Sequence, residues 1–328
     1  MRLRTVSCHE PGWRRVRRGR GFSYLDENGV PLPPEEVQRL RDLAIPPAWR
    51  DVWICPHPRG HLQAVGTDDE GRRQYLYHQQ WRVQRDVEKF ERVSQAAAQL
   101  PRVRGRLRKD LRVDPGDDLV ERRRVLAVGI RLLDLGCFRP GSDASAESGS
   151  HGLTTLEARH VRRVGDDLWF HFDGKSGIEQ EIRIDDPDVV RIVAARLARR
   201  TRSTRLLASK VGSRWLPVTP EELNERISQL TGGAMTAKDF RTWHATTTAA
   251  VTLAERPLPT SQRGRRRRER EAMIAASELL GNTPAVARSA YVDPRIIDLF
   301  DRGIVLDPIP SSQNALDRAV SALLTNHV

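Results

Sequence analysis

The hydrophobic period of this chain changes once along its length, and that change restricts the fold more than any other feature. Over residues 1–82 the apolar stretches are short and broken by Gly and Pro, as at 21–25 (GFSYL), 51–55 (DVWIC) and 61–65 (HLQAV). Such stretches predict short antiparallel strands, with a helix over 35–43 opened by Pro33 and Pro34. From Gln84 the spacing turns helical, at Val87, Phe90 and Val93 and again at Leu119, Val125, Val128 and Leu132. Further helices are predicted over 188–200, 220–230, 237–254, 267–280 and 316–324. One β-insert interrupts them: 168–172 (LWFHF), a turn at 173–177 (DGKSG) and a second strand over 178–184. The expectation is an α+β chain of two domains. A small antiparallel β-sheet domain spans 1–82, and a mainly helical domain spans 83–328 and carries the hairpin with Lys175 at its tip.

Charge and composition narrow the function. Lys and Arg outnumber Asp and Glu by 55 to 43, giving a net charge of +12, an excess that favours a polyanionic partner and makes nucleic acid the first expectation. Only five of the basic residues are lysines: Lys89, Lys109, Lys175, Lys210 and Lys238. Each matters, because lysine can give up a proton near neutral pH and arginine effectively cannot. No apolar run approaches the ~18–20 residues of a membrane-spanning helix, and the Arg-rich N-terminus lacks the apolar core of a secretory signal. Cys8, Cys55 and Cys137 are odd in number and far apart, which suits reduced thiols and a cytoplasmic setting. Cys55, His57 and His61 are closely spaced, but Pro56 and Pro58 intervene and no second ligand pair follows, so no metal is expected.

Two segments carry candidate chemistry. Residues 237–246 (AKDFRTWHAT) read alone as an amphipathic helix with a basic face. In 278–291 (ELLGNTPAVARSAY), Gly281 is a helix-ending signal, Thr283 an N-cap and Pro284 the first residue of a new short helix, so Asn282 lies in a tight turn and Tyr291 about two turns on. Phosphoryl transfer from a diester builds negative charge on the phosphoryl oxygens. Two arginines can hold that charge bidentately, a tyrosine hydroxyl can attack, and a tunable lysine can protonate the departing sugar oxygen. Arg139, Arg241, Tyr291 and Lys175 are the candidates.

The chain resembles the type IB DNA topoisomerases of the short bacterial and poxvirus kind. The matching stretches are 43–53 (LAIPPAWRDVW), 71–81 (GRRQYLYHQQW), 137–141 (CFRPG), 152–160 (GLTTLEARH), 170–177 (FHFDGKSG), 238–246 (KDFRTWHAT) and 280–295 (LGNTPAVARSAYVDPR), in the family's order. The resemblance implies attack by Tyr291 on the scissile phosphate and a 3′-phosphotyrosyl intermediate. Strand rotation and religation follow, with neither ATP nor metal. It implies that Arg139 and Arg241 hold the non-bridging oxygens and that Lys175 is the general acid. Asn282 stands where the family usually has histidine. An amide donates to a phosphate oxygen but carries no charge, so slower catalysis is expected.

The resemblance also implies DNA contacts from Gln74, Tyr75 and Tyr77, together with the basic residues Arg72, Arg73 and Lys238. Alternation puts Tyr75 and Tyr77 on one strand face, where one of them can instead pack in the small N-terminal core. Residues 140–151 (PGSDASAESGSH) are poor in basic and aromatic residues, which weakens the expected site preference. Arg265–Arg268 either grip phosphates or form a solvated helix face. The implied partner is duplex DNA, bound by a monomeric two-domain clamp with no membrane or obligate protein partner, in the nucleoid. Without DNA, the clamp is expected to be open and Tyr291 not fully positioned. A tyrosine recombinase shares the Arg, Lys, Arg, Tyr set but usually has His where this chain has Lys238. A non-catalytic DNA-binding protein is the third reading.

Overall fold

The computed structural model describes residues 2–114, 116–198 and 205–327, and the chain divides into two compact units, Met1–Lys89 and Phe90–Val328. In the first unit, five strands form one antiparallel sheet in the order β2-β1-β3-β4-β5. They are β1 (Trp13–Arg18), β2 (Gly21–Leu25), β3 (Arg50–Ile54), β4 (Leu62–Thr67) and β5 (Arg73–Tyr77), with helix α1 (Pro34–Asp42) between β2 and β3. Tyr24, Leu40, Ile45, Val52, Ile54 and Ala64 make the core.

β1 has four arginines in six residues and escapes hydrophobic-pattern reading. Its place in the sheet is made possible by Arg15. The guanidinium donates to the carbonyls of Ile45 (2.9 Å), Pro46 (2.8 Å) and Trp49 (2.8 Å) and lies 4.2 Å from the Phe22 ring centroid. A charge whose donors are satisfied in this way can share a face with apolar residues.

Helix α2 (Gln79–Ala97) leads the chain into the second unit, which is mainly helical, as expected for an α+β chain. α3 (Leu100–Arg112) carries five arginines in thirteen residues, yet Leu100, Val103, Leu107 and Leu111 recur at helical spacing and are buried. α4 (Asp118–Gly136) is capped by the Asp117 carboxylate, which accepts from Val120 N at 2.8 Å. α5 (Asp143–Glu147) is a single turn in the Ser-rich stretch. The β-insert is a three-stranded antiparallel sheet, β6 (Val161–Val164), β7 (Asp167–Asp173) and β8 (Glu179–Ile184), with Lys175 in the short turn between β7 and β8.

α6 (Pro187–Ala198) begins as expected; Arg199 and Arg200, placed in the same helix from sequence, lie outside the described residues. A small hairpin of β9 (Ala208–Val211) and β10 (Arg214–Pro217) precedes α7 (Pro220–Thr231) and α8 (Ala237–Ala254). α9 (Gln262–Leu280) starts five residues before the predicted 267, because the Ser261 hydroxyl accepts from Gly264 N at 3.1 Å and caps the helix there. α10 (Pro284–Ala290), α11 (Pro294–Asp301) and α12 (Gln313–Asn326) complete the unit. Phe138, Phe170, Phe240, Trp243 and Phe300 are its largest fully buried side chains.

Candidate active site

Arg241 occupies a position that would ordinarily be apolar. It lies on the most buried helix, α8, and is itself 3% exposed. Its guanidinium donates to the carbonyls of Cys137, just past the end of α4, and Leu280, the last residue of α9, the latter at 2.8 Å. Carbonyls satisfy donors without neutralising the charge. That charge faces Tyr291, whose ring centroid is 5.4 Å from the guanidinium carbon, and Lys238 puts its Nζ 5.9 Å from the same ring. Against the expectation of an incompletely positioned Tyr291, its ring already stands beside both cations.

Tyr291 follows α10, whose N-terminus is capped by Thr283. Its carbonyl lies 3.3 Å from the Thr246 hydroxyl, which also accepts from Asp293 N at 3.1 Å, so α8 fixes the tyrosine backbone as well as facing its ring. Burial alone pushes the Tyr291 phenol up, but Arg241, Lys238 and Arg139 together outweigh it, and the phenol lies below its ordinary value. Tyrosinate therefore accumulates as pH rises through this lowered value. Single-turnover cleavage is expected to rise with pH through an inflection below the usual phenol pKa of ~10. Lys238→Gln removes one cation and should move the inflection upward; an unmoved inflection would exclude Lys238 from this role.

Arg139 is placed by backbone contacts. Cys137 adopts a left-handed conformation (φ 50°) that ends α4, and Phe138 packs edge-on to Phe170, with ring centroids 5.1 Å apart, and stacks on Phe172 at 6.0 Å. The carbonyls of Arg139 and Pro140 accept from Leu153 N and Thr154 N, both at 2.8 Å. Gly141 and Gly152 lie backbone against backbone: a Cβ on Gly152 would stand 2.5 Å from Gly141 Cα. The CFRPG and GLTTLEARH stretches are thus two halves of one clasp. Arg139 Nη2 donates to the Gly281 carbonyl at 3.2 Å.

Gly281 (φ 57°) ends α9, and a Cβ there would lie 2.8 Å from Gln180 Oε1. Asn282 follows. Both its Nδ2 and Oδ1 are buried without a hydrogen-bond partner among the described residues. Leaving such groups unpaired costs about 1–3 kcal/mol each. A cavity of about 230 Å³ beside it is lined by Arg139, Arg241, Gly281, Gln180 and Gly174. Gly174 is the base of the Lys175 turn, and its carbonyl accepts from Ser150 Oγ at 2.5 Å. Lys175 itself is exposed on that turn and does not line the cavity. The structure therefore brings together Tyr291, Arg241, Lys238, Arg139 and Asn282, with Lys175 on an adjacent exposed turn. Gln180 and Thr246 escaped the sequence reading, because a Gln on a strand and a Thr inside a helix carry no distinctive pattern.

In the first unit, Tyr75 and Tyr77 share a strand face and stack with centroids 6.2 Å apart. They are 48% and 37% exposed, so neither is a core residue. Alternation sets Gln74 on the opposite face with Leu76, and its amide donates to Asp68 at 2.8 Å. Arg72 is exposed and pairs with Asp68 and Glu70, while Arg73 is exposed beside Cys8. The Arg265–Arg268 run divides by role. Arg265 donates to the Phe300 and Asp301 carbonyls, Arg267 pairs with Glu271, buried Arg268 donates to the Leu253 and Arg256 carbonyls, and Arg266 is exposed. Among the described residues no group of three or more His, Cys, Asp or Glu is arranged to hold a metal ion.

A family model described as the eukaryotic DNA topoisomerase I catalytic core matches residues 78–298. The chain belongs to the type IB DNA topoisomerases. A model described as the bacterial DNA topoisomerase IB N-terminal domain matches residues 21–68 of this topoisomerase. DNA topoisomerase 1B of Acanthamoeba polyphaga mimivirus is 25% identical over 286 residues, covering 84% of this chain and 83% of its own. Among solved structures, a post-cleavage complex of the XerH site-specific recombinase with palindromic difH is 14% identical. It covers 60% of this chain and 50% of its own, with a TM-score of 0.37, a likeness too low to bear on function. The family match selects the topoisomerase reading over the recombinase and non-catalytic ones. A type IB topoisomerase cleaves one strand of duplex DNA through a 3′-phosphotyrosyl intermediate, allows rotation and religates, relaxing supercoils of both signs without ATP or metal. Duplex DNA is accordingly its partner and a DNA-containing compartment its place of work. No helix among the described residues is long and apolar enough to cross a membrane.

Proposed function

We propose that Tyr291 is the nucleophile of this topoisomerase and that Arg139, Arg241, Lys175 and Asn282 are its catalytic partners. Tyr291 Oη attacks the scissile phosphorus as the bond from phosphorus to O5′ breaks, and Lys175 gives its proton to the departing oxygen. Arg139 and Arg241 hold the non-bridging oxygens as their charge grows, and Asn282 Nδ2 donates to one of them. Resealing is the same path reversed, with the 5′-hydroxyl attacking and tyrosinate leaving. The observation that supports this most is the gathering of Arg241, Lys238 and Arg139 around one phenol, with a depressed pKa despite burial. The fixed cations lower the cost of removing the phenol proton, which passes to solvent water as the bond to phosphorus forms.

The N-terminal domain is the DNA-clamping part, with Tyr75, Tyr77, Arg72 and Arg73 toward DNA and Gln74 turned to the other strand face, and Lys238 also serves the bound strand. The enzyme acts as a monomer on nucleoid DNA, since one tyrosine suffices for swivelling. The test is to trap the covalent complex on a nicked substrate whose short downstream fragment, bearing the new 5′-hydroxyl, dissociates, then digest it and identify the DNA-linked peptide. It should contain Tyr291. A link to Tyr24, Tyr75 or Tyr77, the chain's other tyrosines, or no link at all, overturns the assignment.

A further inference from the structure

Helices α4 and α8 are joined twice. Arg241 donates to the carbonyl of Cys137, and one turn further along α8 the His244 Nε2 lies 3.3 Å from Asp134 Oδ1. The spacing matches on both elements: three residues separate Arg241 from His244, and three separate Asp134 from Cys137. The pairs therefore run antiparallel, one turn apart, and each fixes the register the other needs.

The second link belongs to a buried charge cluster. Arg104 of α3 donates to both carboxylate oxygens of Asp134, at 2.7 and 2.8 Å, and reaches Asp317 and Asn314 on α12. Asp317 accepts from Trp243 Nε1 at 2.8 Å, and the adjacent His244 sets its Nε2 3.3 Å from Asp134 as a close charge contact without hydrogen-bond geometry, so the two face different carboxylates of one cluster. Arg131 also donates to Asp134. Arg104, Asp134, Asp317 and His244 are all buried, and none lines the cavity beside Arg139 and Arg241. Burial pushes the Asp134 carboxyl up, yet Arg104 and His244 hold it well below the usual carboxylate range, so it stays an anion for its partners. A buried ionic cluster adds little net stability compared with an apolar core of equal volume; its best-attested use is to specify register.

We propose that His244, through Asp134, is a positioning residue for strand cleavage and resealing, holding α8 against α4 so that Arg241 meets the Cys137 carbonyl and faces Tyr291. This rests on the reading of Arg241 given above. His244 touches no reacting atom. It acts by setting where a cation stands, and displacement of a catalytic group by about 1 Å can cost up to about a hundredfold in rate.

The test is a double-mutant cycle on single-turnover cleavage and resealing, with the native enzyme, His244→Ala, Arg241→Ala and the double variant. His244→Ala should slow both directions about tenfold or more. The fraction cleaved at equilibrium and the non-covalent affinity for DNA should hold, since both directions share one transition state. In the Arg241→Ala background the same change should cost less than about twofold, because the group it positions is gone. His244→Gln, which sets an amide N–H near the place of Nε2, should restore most of the rate. Losses that multiply in the double variant overturn the proposal. So does a fall in active fraction or melting temperature with an unchanged rate constant, the mark of a purely structural role. If Arg241→Ala leaves the rate at the native value, the reading of Arg241 fails and the proposal falls with it, a result distinct from multiplied losses. Where His244→Ala does not fold, His244→Leu fills the volume and carries the same cycle.

Discussion

Tyr291→Phe should bind duplex DNA within about twofold of the native affinity and relax no plasmid of either sign, a loss of at least about 10⁴-fold. The substitution removes one oxygen and leaves the ring that Arg241 and Lys238 face, so the surrounding packing has little reason to move. The Thr246 contacts are made to the backbone at Tyr291 and Asp293 and survive the change. The measurement is relaxation of positively and negatively supercoiled plasmid in EDTA without ATP, beside a binding assay on a linear duplex. Loss of binding together with relaxation would mean that the fold had been damaged. Residual relaxation above background would move the nucleophile elsewhere.

Arg241→Ala should lower single-turnover cleavage by about 10²–10³-fold, the usual cost of removing one preorganised donor from a developing oxyanion. Two effects add in the same direction. The transition state loses a fixed cation, and the Tyr291 phenol loses the strongest of the attractions that depress it, so the pH inflection of cleavage should also rise. Arg241→Lys should recover only part of the rate. Lysine restores the charge as a point, but it cannot donate to the Cys137 and Leu280 carbonyls and a phosphate oxygen in one planar fork. Equal rates for the Lys and Ala variants would show that fork geometry, not charge, is what the site requires. A native rate for Arg241→Ala would remove Arg241 from the catalytic set.

Much of the fold was legible in sequence, for identifiable reasons. The hairpin bearing Lys175 was readable because Asp173-Gly174 and Gly177 punctuate two apolar runs, and α10 because Thr283 and Pro284 announce a helix start. β1 and α3 were not, because their arginines hide the period. In β1, Arg15 is satisfied by three carbonyls distant in sequence, and in α3, Arg104 is satisfied by Asp134 and Asp317. Nothing local in the sequence distinguishes such an arginine from a solvated one. The catalytic candidates were legible as residue types in recurring stretches, but not the forces on them. That Arg241 is buried, that Lys238 stands beside the tyrosine ring and that both polar atoms of Asn282 lack partners are facts of packing. Gln74 shows the opposite limit: grouping it with Tyr75 and Tyr77 by sequence ignores the strand alternation that turns it away.

The apposed backbones of Gly141 and Gly152 separate two tasks. Everything between them is a ten-residue segment whose ends are pinned together, with Arg139 secured on the outer side by hydrogen bonds that do not involve that segment. Lengthening such a loop costs only about 0.6 kcal/mol per doubling. Residues 142–149 can therefore be exchanged, extended or recoloured with charge while the arginine beside them stays in register, whereas Ser150 and His151 are hydrogen-bonded to Gly174 and Asp173 at the Lys175 turn. The clasp keeps the position of Arg139, and the exposed part of the segment is free to vary on its own.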